Sequence, residues 1–287
     1  MFKNLSPGAI GMRDLSLARA LDLARRTGFA GVDLNITEVA ELANRDGVDA
    51  VRQLFEDAGV RPGSWGLPVA WHDDNRWQED LKHLPRLATL ARQLGCTRTA
   101  TWSTPASDVR PFEENFAWHV TRFRPIAQIL ADHGCRLGVE FIGPKTLRRG
   151  RKYEFIYALD GTMELARAIG TGNVGLLLDA WHLYTSGASL DALDTITAQD
   201  IVVVHVNDAP AGIPLDEQID NVRCLPMETG VIDLVGFVNQ LAALGYDGPV
   251  TPEPFSAPLN DIAARDPLQA AQITAEAMNR LWQAAGL

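Results

Sequence analysis

Hydrophobic positions along the chain follow two alternating patterns. Short apolar runs typical of strands, such as "FAGVDLNI" and "DIVVVHVND", are separated by longer stretches in which apolar residues recur at helical spacing. The stretches "SLARALDLARRTG" and "GVDAVRQLFEDAG" show this spacing, and each ends in glycine, as helices commonly do. The pattern therefore predicts a chain built from repeated strand–helix units.

Eight strand candidates can be counted, and a helical stretch or a loop of weak helical character follows each of them. They are "GAIGM", "FAGVDLNI", "VRPGSWGLP", "CTRTATW", "CRLGVEFIG", "VGLLLD", "DIVVVHVND" and "DGPVTPEPF". Repeated strand–helix units with short connections imply a parallel sheet, and eight of them in this length predict an α/β protein with a closed (β/α)8 TIM barrel. No early G-x-G-x-x-G supports a dinucleotide-binding fold instead. Because no linker-like stretch marks a boundary, residues 1–287 are predicted to form a single domain.

Four late strand candidates end in side chains that can bind a metal ion. They carry Glu140, Asp179, His205 and Glu253 at or near their carboxyl ends. In a TIM barrel these ends form the active-site face, so the four side chains are expected to converge near the barrel axis. One such residue alone is more often a paired strand end, but four on consecutive strands favour a shared site. Three carboxylates this close repel each other unless a cation lies between them.

The ligand types predict one divalent metal ion. Three carboxylates and one imidazole form an oxygen-rich set that suits Mn²⁺, Mg²⁺, Co²⁺ or Zn²⁺ and does not choose among them. The absence of clustered thiolates argues against a closed structural zinc site.

Other polar residues near the predicted strand ends are candidates for substrate binding. His182, three residues after Asp179, is predicted to contact substrate, with metal ligation or a place in the pocket wall as alternatives. Asp208, three residues after His205, is interpreted equally as a substrate contact and as a group that orients an imidazole. The basic run Lys145 to Lys152 fits a solvated loop better than a lid that brings a cation to the substrate. Tryptophans near the strand ends fit a sugar pocket and core packing equally: Trp65, Trp71, Trp102 and Trp181.

Composition and charge narrow the classes of partner. With 26 Lys and Arg against 36 Asp and Glu, the formal net charge is −10, which disfavours binding to nucleic acid or to an anionic membrane. No apolar run approaches the length of a membrane span, and the first residues lack the apolar core of a signal peptide. Three widely spaced cysteines fit a reducing compartment. A cytoplasmic protein is therefore expected, and small polar substrates stay open.

Five segments carry a resemblance to a known family. They are "LGVEFIG", "VGLLLDAWHLY", "IVVVHVNDAP", "RCLPMETGVIDL" and "VTPEPF", which together span about Arg136 to Phe255. They resemble the xylose isomerase-like barrel superfamily of sugar phosphate isomerases and epimerases, and most closely its inosose isomerase-like members. The resemblance implies that Glu140, Asp179, His205 and Glu253 are metal ligands. It also places His182 on the second residue of the family's D-x-x-H and Arg223 on the arginine that precedes the family's "PG-G-ID" loop. The resemblance further implies a small polyhydroxylated keto substrate.

The chain departs from family patterns at three positions. The family's "P-G-x-G-x-[IV]-D" reads "PMETGVID" here, with Met227 in place of the first glycine and one extra residue. Ala211 stands where ketose 3-epimerases have an arginine, which weakens an epimerase of free ketoses. Val222 stands where the apurinic endonucleases have a metal-binding histidine, which argues against a DNA-repair nuclease.

The resemblance and the ligand set together predict a metal-dependent isomerase or epimerase of a sugar, inosose or keto-sugar. Glu140 and Glu253 would exchange a proton with substrate carbon through an enediolate, while His182 and Arg223 hold substrate oxygens. A metal-dependent lyase or dehydratase is the first alternative. A non-catalytic metal-binding subunit is the second, and it rests only on Met227 and the altered loop. Barrels of this kind often pair, so a homo-oligomer stays open, although the sequence indicates no interface.

Overall fold

Eight short parallel strands make up the sheet in a computed structural model that describes residues 1–287. In chain order, β1 to β8 are Phe2–Leu5, Gly31–Leu34, Arg61–Gly66, Arg98–Trp102, Arg136–Glu140, Val174–Asp179, Ile201–Val206 and Pro249–Pro252. Each strand pairs with the next along the chain, and β1 also pairs with β8, so the sheet closes without an edge. The predicted (β/α)8 barrel is therefore confirmed.

Ten helices surround or connect the strands. In chain order, α1 to α10 are Leu17–Thr27, Ile36–Asp46, Val48–Ala58, Trp77–Gln93, Phe112–Asp132, Leu159–Ile169, Ala180–Thr185, Leu234–Leu244, Ala257–Arg265 and Pro267–Ala285. As predicted, α1 and α3 end at glycines: Gly28 and Gly59 adopt left-handed φ values of 78° and 63°. The stretch after β6 and α7, one of those with weak helical character, forms a 3₁₀ turn, Leu190–Thr195. None of the helices combines the length and the apolar character that crossing a membrane requires.

The first strand lies earlier than predicted. "GAIGM" does not form a strand, because Pro7–Ile10 is a 3₁₀ turn that ends at Gly11 with a φ of 89°. Pro7 has no N–H to contribute to a sheet ladder, and it suits the first turn of a helix instead. The strand is Phe2–Leu5, whose polar residues Lys3 and Asn4 hide it from a search for apolar runs.

A polar layer inside the barrel ties together the strands at the point of closure. The Asn4 side chain, fully buried on β1, donates to Asp33 Oδ1 on β2 at 2.8 Å and to Thr251 Oγ1 on β8 at 2.9 Å. Ser64 on β3 donates its N–H and its hydroxyl to the same Asp33 oxygen. These hydrogen bonds link four neighbouring strands, so the layer helps to specify how the strands meet.

Space for Asn4 depends on a glycine in β3. A Cβ atom at Gly63 would lie 2.1 Å from Asn4 Oδ1, which is far inside van der Waals contact. At Gly66, on the same strand, a Cβ would meet no atom within 4 Å. The two glycines therefore form a matched pair for testing the polar layer.

We expect Gly63→Ala to lower the free energy of unfolding by about 1–3 kcal/mol, because the added methyl group forces the Asn4 side chain from its site. Gly66→Ala, the control, is expected to change it by no more than about 0.5 kcal/mol. Urea denaturation followed by circular dichroism measures both values. Equal stability of the two variants would contradict this account of the closure.

Candidate metal centre

The four predicted ligand residues meet at the carboxyl end of the barrel. Glu140 and Asp179 end β5 and β6, His205 lies one residue before the end of β7, and Glu253 follows β8 directly. Parallel register places Asp179 opposite His205, and the Glu253 N–H extends the ladder by donating to a carbonyl of β7. One ligand atom from each of the four residues lies within 4.8 Å of the others. The strand-end pattern therefore identified a real spatial cluster.

Asp179 belongs both to the strand and to the helix that follows. Its Oδ1 accepts from the N–H groups of Trp181 and His182 and caps α7, at 2.7 and 3.4 Å. The "DAWH" spacing thereby carries His182 one helical turn past the carboxylate, where its ring faces the same site. Asp179 Oδ2 remains directed at the cluster and accepts from Arg223 at 2.8 Å.

Two atoms of the cluster are buried without a hydrogen-bond partner. They are Glu140 Oε1 and His205 Nδ1, and the latter lies 3.3 Å from Glu253 Oε2 without hydrogen-bond geometry. Buried polar atoms are normally paired, so two unpaired ones in a single cluster indicate a missing partner. Carboxylate oxygens and an imidazole nitrogen are suitable donors for a divalent ion. The residues present therefore fit the predicted metal.

Protonation equilibria in the cluster are strongly perturbed. Burial raises the pKa of Glu140 well above its usual range, and the charges of Glu253 and Asp179 raise it further. Burial alone would lower the pKa of His205, but the neighbouring carboxylates, with Glu253 foremost, outweigh burial and raise it to about 10. Both shifts favour extra protons on a cluster with excess negative charge, and a bound cation would meet the same need.

Arg223 supplies the positive charge nearest to the cluster. Its Nη1 donates to Asp179 Oδ2 at 2.8 Å and to Glu253 Oε2 at 3.0 Å, and its Nη2 donates to Asp220 Oδ1 at 2.9 Å. Burial would raise the pKa of Asp179, but the neighbouring groups together, with the charge of Arg223 foremost, outweigh burial and lower it to about 2. Arg223 thus binds two candidate metal ligands, in addition to lining the cavity where substrate contact was predicted.

The chain has three non-glycine residues with positive φ, and all of them lie in the loops that follow β7 and β8, next to Arg223. Its guanidinium carbon lies 4.6 Å from the centre of the Trp181 ring and 5.1 Å from that of Phe255. Phe255 has a φ of 39°, and Asn221 and Met227 have φ values of 61° and 64°. Met227 therefore adopts a conformation that favours glycine, at the position where the related motif has one. Such backbone strain is concentrated at functional sites in proteins.

His182 is buried beside the cluster, and only its Nε2 approaches a cluster residue. Its Nδ1 accepts from the Gly143 N–H at 3.1 Å, while Nε2 lies 2.9 Å from Arg223 Nη2 and 3.8 Å from Glu140 Oε1. Burial lowers the pKa of His182 to about 4, so the ring is neutral and accepts at one nitrogen only. A Cβ at Gly143 would lie 2.3 Å from the His182 carbonyl oxygen. Gly143 therefore allows this close approach. No pattern in the sequence had indicated a role for Gly143.

Asp208 does not have either of its predicted roles. Its side chain is fully buried, and its two oxygens accept from the backbone N–H groups of Ala209, Thr229, Gly230 and Ile232. These four amides satisfy the carboxylate, which contacts neither an imidazole nor the cavity. Asp208 instead stabilises the loop after Met227 by accepting hydrogen bonds from its backbone.

A cavity of about 410 Å³ opens directly onto the cluster. A volume of this order suits a small-molecule ligand. Two of its polar lining residues, Asp220 and Asn221, were not predicted, because loop residues follow no hydrophobic period. Its polar wall consists of Glu140, His182, Asp220, Asn221, Arg223 and Glu253.

The four tryptophans near strand ends divide between the core and the cavity. Trp65, Trp71 and Trp181 are at most 1% exposed, so they pack in the core, and Trp181 also contacts Arg223. Trp102, at the end of β4, is 41% exposed and lines the cavity. The sugar-pocket interpretation is therefore retained for Trp102 alone.

Two curated relatives match most of the chain at low identity. Inosose isomerase of Bacillus velezensis is 20% identical over 94% of this chain and 94% of its own length. The 3-dehydroshikimate dehydratase of Pseudomonas aeruginosa is 27% identical over 84% of this chain and 36% of its own length.

Solved structures agree with the observed fold. A xylose isomerase domain protein from Alicyclobacillus acidocaldarius superimposes with a TM-score of 0.87 and 31% identity over the full length of both chains. The IolI protein, solved with a bound zinc atom, has a TM-score of 0.78 and 18% identity over 100% of this chain and 98% of its own. A family model described as "Xylose isomerase-like TIM barrel" matches residues 21–281. The chain therefore belongs to the xylose isomerase-like TIM barrel family.

Proposed function

We propose that this chain is a divalent-metal-dependent isomerase or epimerase of a sugar, inosose or related keto-sugar. The observation that carries the proposal is the cluster of Glu140, Asp179, His205 and Glu253, with two unpaired buried atoms, at the base of a small-molecule cavity. Similarity to inosose isomerase supports the substrate class, and the zinc in the IolI structure supports the choice of a divalent ion.

The chain's own residues can be given roles from their positions. A divalent ion held by the cluster would supply Lewis acidity toward a substrate carbonyl. Glu140 and Glu253 both face the cavity, from β5 and from the end of β8, so they can take a proton from one substrate carbon and return it to a neighbour. His182 and Arg223 lie beside them and would hold substrate oxygens.

The runner-up function is a lyase or dehydratase on a similar substrate. The specific observation in its favour is the match to 3-dehydroshikimate dehydratase. Removing a proton next to a carbonyl is the first step of both reactions, and a leaving group on the adjacent carbon would direct it to elimination. No observation favours the non-catalytic subunit, because the backbone at Met227 leaves every cluster residue in place.

The chain is expected to bind one divalent ion at the cluster. Glu140→Gln should weaken that binding by at least about tenfold. Replacing a residue that only hydrogen-bonds to a metal ligand already lowers metal affinity by about this factor, and Glu140 is a candidate ligand itself. Glu276→Gln is the matched control, since Glu276 is an exposed carboxylate on α10. Elemental analysis after equilibrium dialysis against Mn²⁺ or Zn²⁺ gives stoichiometry and affinity. Equal binding by the two variants would rule out the cluster as the site.

Catalysis is expected to exchange a carbon-bound proton with solvent. In D₂O, the metal-loaded chain should place deuterium beside the carbonyl of a ketose or inosose. At saturating metal, Glu140→Gln and Glu253→Gln should slow this by about 10²–10⁴-fold, the usual contribution of general acid–base catalysis. Proton NMR or mass spectrometry follows the label. Elimination products would favour the lyase over the isomerase as the function. Undiminished exchange in a variant with bound metal would contradict the proton-transfer role assigned to that glutamate.

A further inference from the structure

The cavity has a rigid aromatic surface beside its polar wall. Trp102 presents its ring there, and the rings of Trp71 and His72 pack behind it, with centroids 5.3 and 5.5 Å away. Ile142 and Leu147 extend the apolar surface. A ligand that fills this cavity must therefore offer an apolar face to Trp102, as well as oxygens to the metal cluster.

The charges of the site leave no surplus positive charge for an anionic substrate. Arg223 is the one cationic side chain of the lining, and it already donates to Asp179, Asp220 and Glu253. Together with Glu140 these make four carboxylates, whereas Arg223 and a divalent ion bring three positive charges. A phosphate or carboxylate on the substrate would enter a region of like charge, where Coulomb repulsion is strong because the groups are buried.

The basic run beside the cavity is occupied with other contacts. Lys145 forms an ion pair with Asp216, and Arg149 forms one with Glu217 at 2.7 Å, so this loop is bound to the loop after β7. The remaining arginine next to the cavity, Arg148, is buried.

Arg148 is held by its neighbours rather than directed at the cavity. Its guanidinium carbon lies 3.5 Å from the centre of the Tyr157 ring, and its Nη2 donates to the Gly143 carbonyl oxygen at 3.3 Å. The residue that this loop turns toward the cavity is instead Leu147. The basic loop thus contributes an apolar contact to the cavity, and none of its cationic side chains lines the cavity.

We propose that the substrate is uncharged: a small polyhydroxylated ketone or aldehyde, without phosphate or carboxylate, that lies with one C–H face against Trp102. The inference rests on the proposed function, because it names the substrate class of that metal-dependent site. It favours a substrate of the inosose type over one of the dehydroshikimate type, since the latter carries a carboxylate.

The test compares pairs of compounds that differ by one anionic group. The probes are D-fructose with D-fructose 6-phosphate, and 2-keto-myo-inositol with its monophosphate. Each is titrated calorimetrically into the Mn²⁺-loaded chain. We expect the uncharged member of a pair to bind at least about tenfold more tightly, and this preference to persist at higher ionic strength, because salt screens buried charges only weakly. Tighter binding of the phosphorylated members would overturn the inference.

Two variants separate the aromatic surface from the basic loop. Trp102→Ala should weaken binding of the uncharged probe by about tenfold, while Trp102→Phe restores most of it, because a ring face is kept. Arg149→Ala should leave the affinity for both members of a pair within about twofold, because the Arg149 guanidinium forms an exposed ion pair with Glu217 and does not line the cavity. A selective loss of phosphate binding in Arg149→Ala would show that the loop recognises anions, against the proposal.

Failure of the inference and failure of the proposed function give different results. If the chain binds Mn²⁺ and exchanges deuterium into the phosphorylated members faster than into the uncharged ones, the function stands and the inference is wrong. If no probe binds or exchanges while the ion is bound, both are wrong.

Discussion

Repulsion among three carboxylates is the constraint on which the candidate site depends. Consecutive strands of a closed barrel hold Glu140, Asp179 and Glu253 around His205, and a sheet without edges cannot spread to separate them. The surrounding residues respond to the excess negative charge. Arg223 binds two of the carboxylates, and the pKa values of Glu140 and His205 are both raised. A divalent ion would satisfy the same electrostatic requirement and two unpaired atoms as well.

Arg223 owes its position to two strained loops rather than to a strand. Asn221 lies close to it in sequence, the Phe255 ring lies close to it in space, and both residues have positive φ. Asp208 anchors the loop beyond Met227 through three backbone amides. Strain of this kind persists only where the surrounding structure offsets its cost. The site therefore combines carboxylates carried by strands with a cation carried by a loop.

The residues that sequence patterns located are those on regular elements. Glu140, Asp179 and His205 follow apolar runs that only a buried strand explains, so their convergence could be predicted from barrel geometry. Asp208 could not be interpreted correctly, because its partners are backbone amides 21 to 24 residues further along the chain. The first strand was misplaced because one of its two buried side chains is Asn4, whose burial depends on partners in β2 and β8. The loop contacts of Asp208 and the buried Asn4 thus escaped prediction for one reason: neither leaves a hydrophobic period.

The hydrogen bond between Asn4 and Thr251 joins residues 247 positions apart, and it has a consequence for how the molecule is made. During synthesis, β1 leaves the ribosome long before its neighbour β8 exists, so one edge of the growing sheet stays unpaired until nearly the whole chain is available. Contacts of such sequence separation carry a large loop-closure entropy and slow folding. Barrel closure is thus a late event. Until it occurs, the nascent protein has an unpaired strand edge, and Asn4, which is buried in the folded barrel, is exposed to solvent.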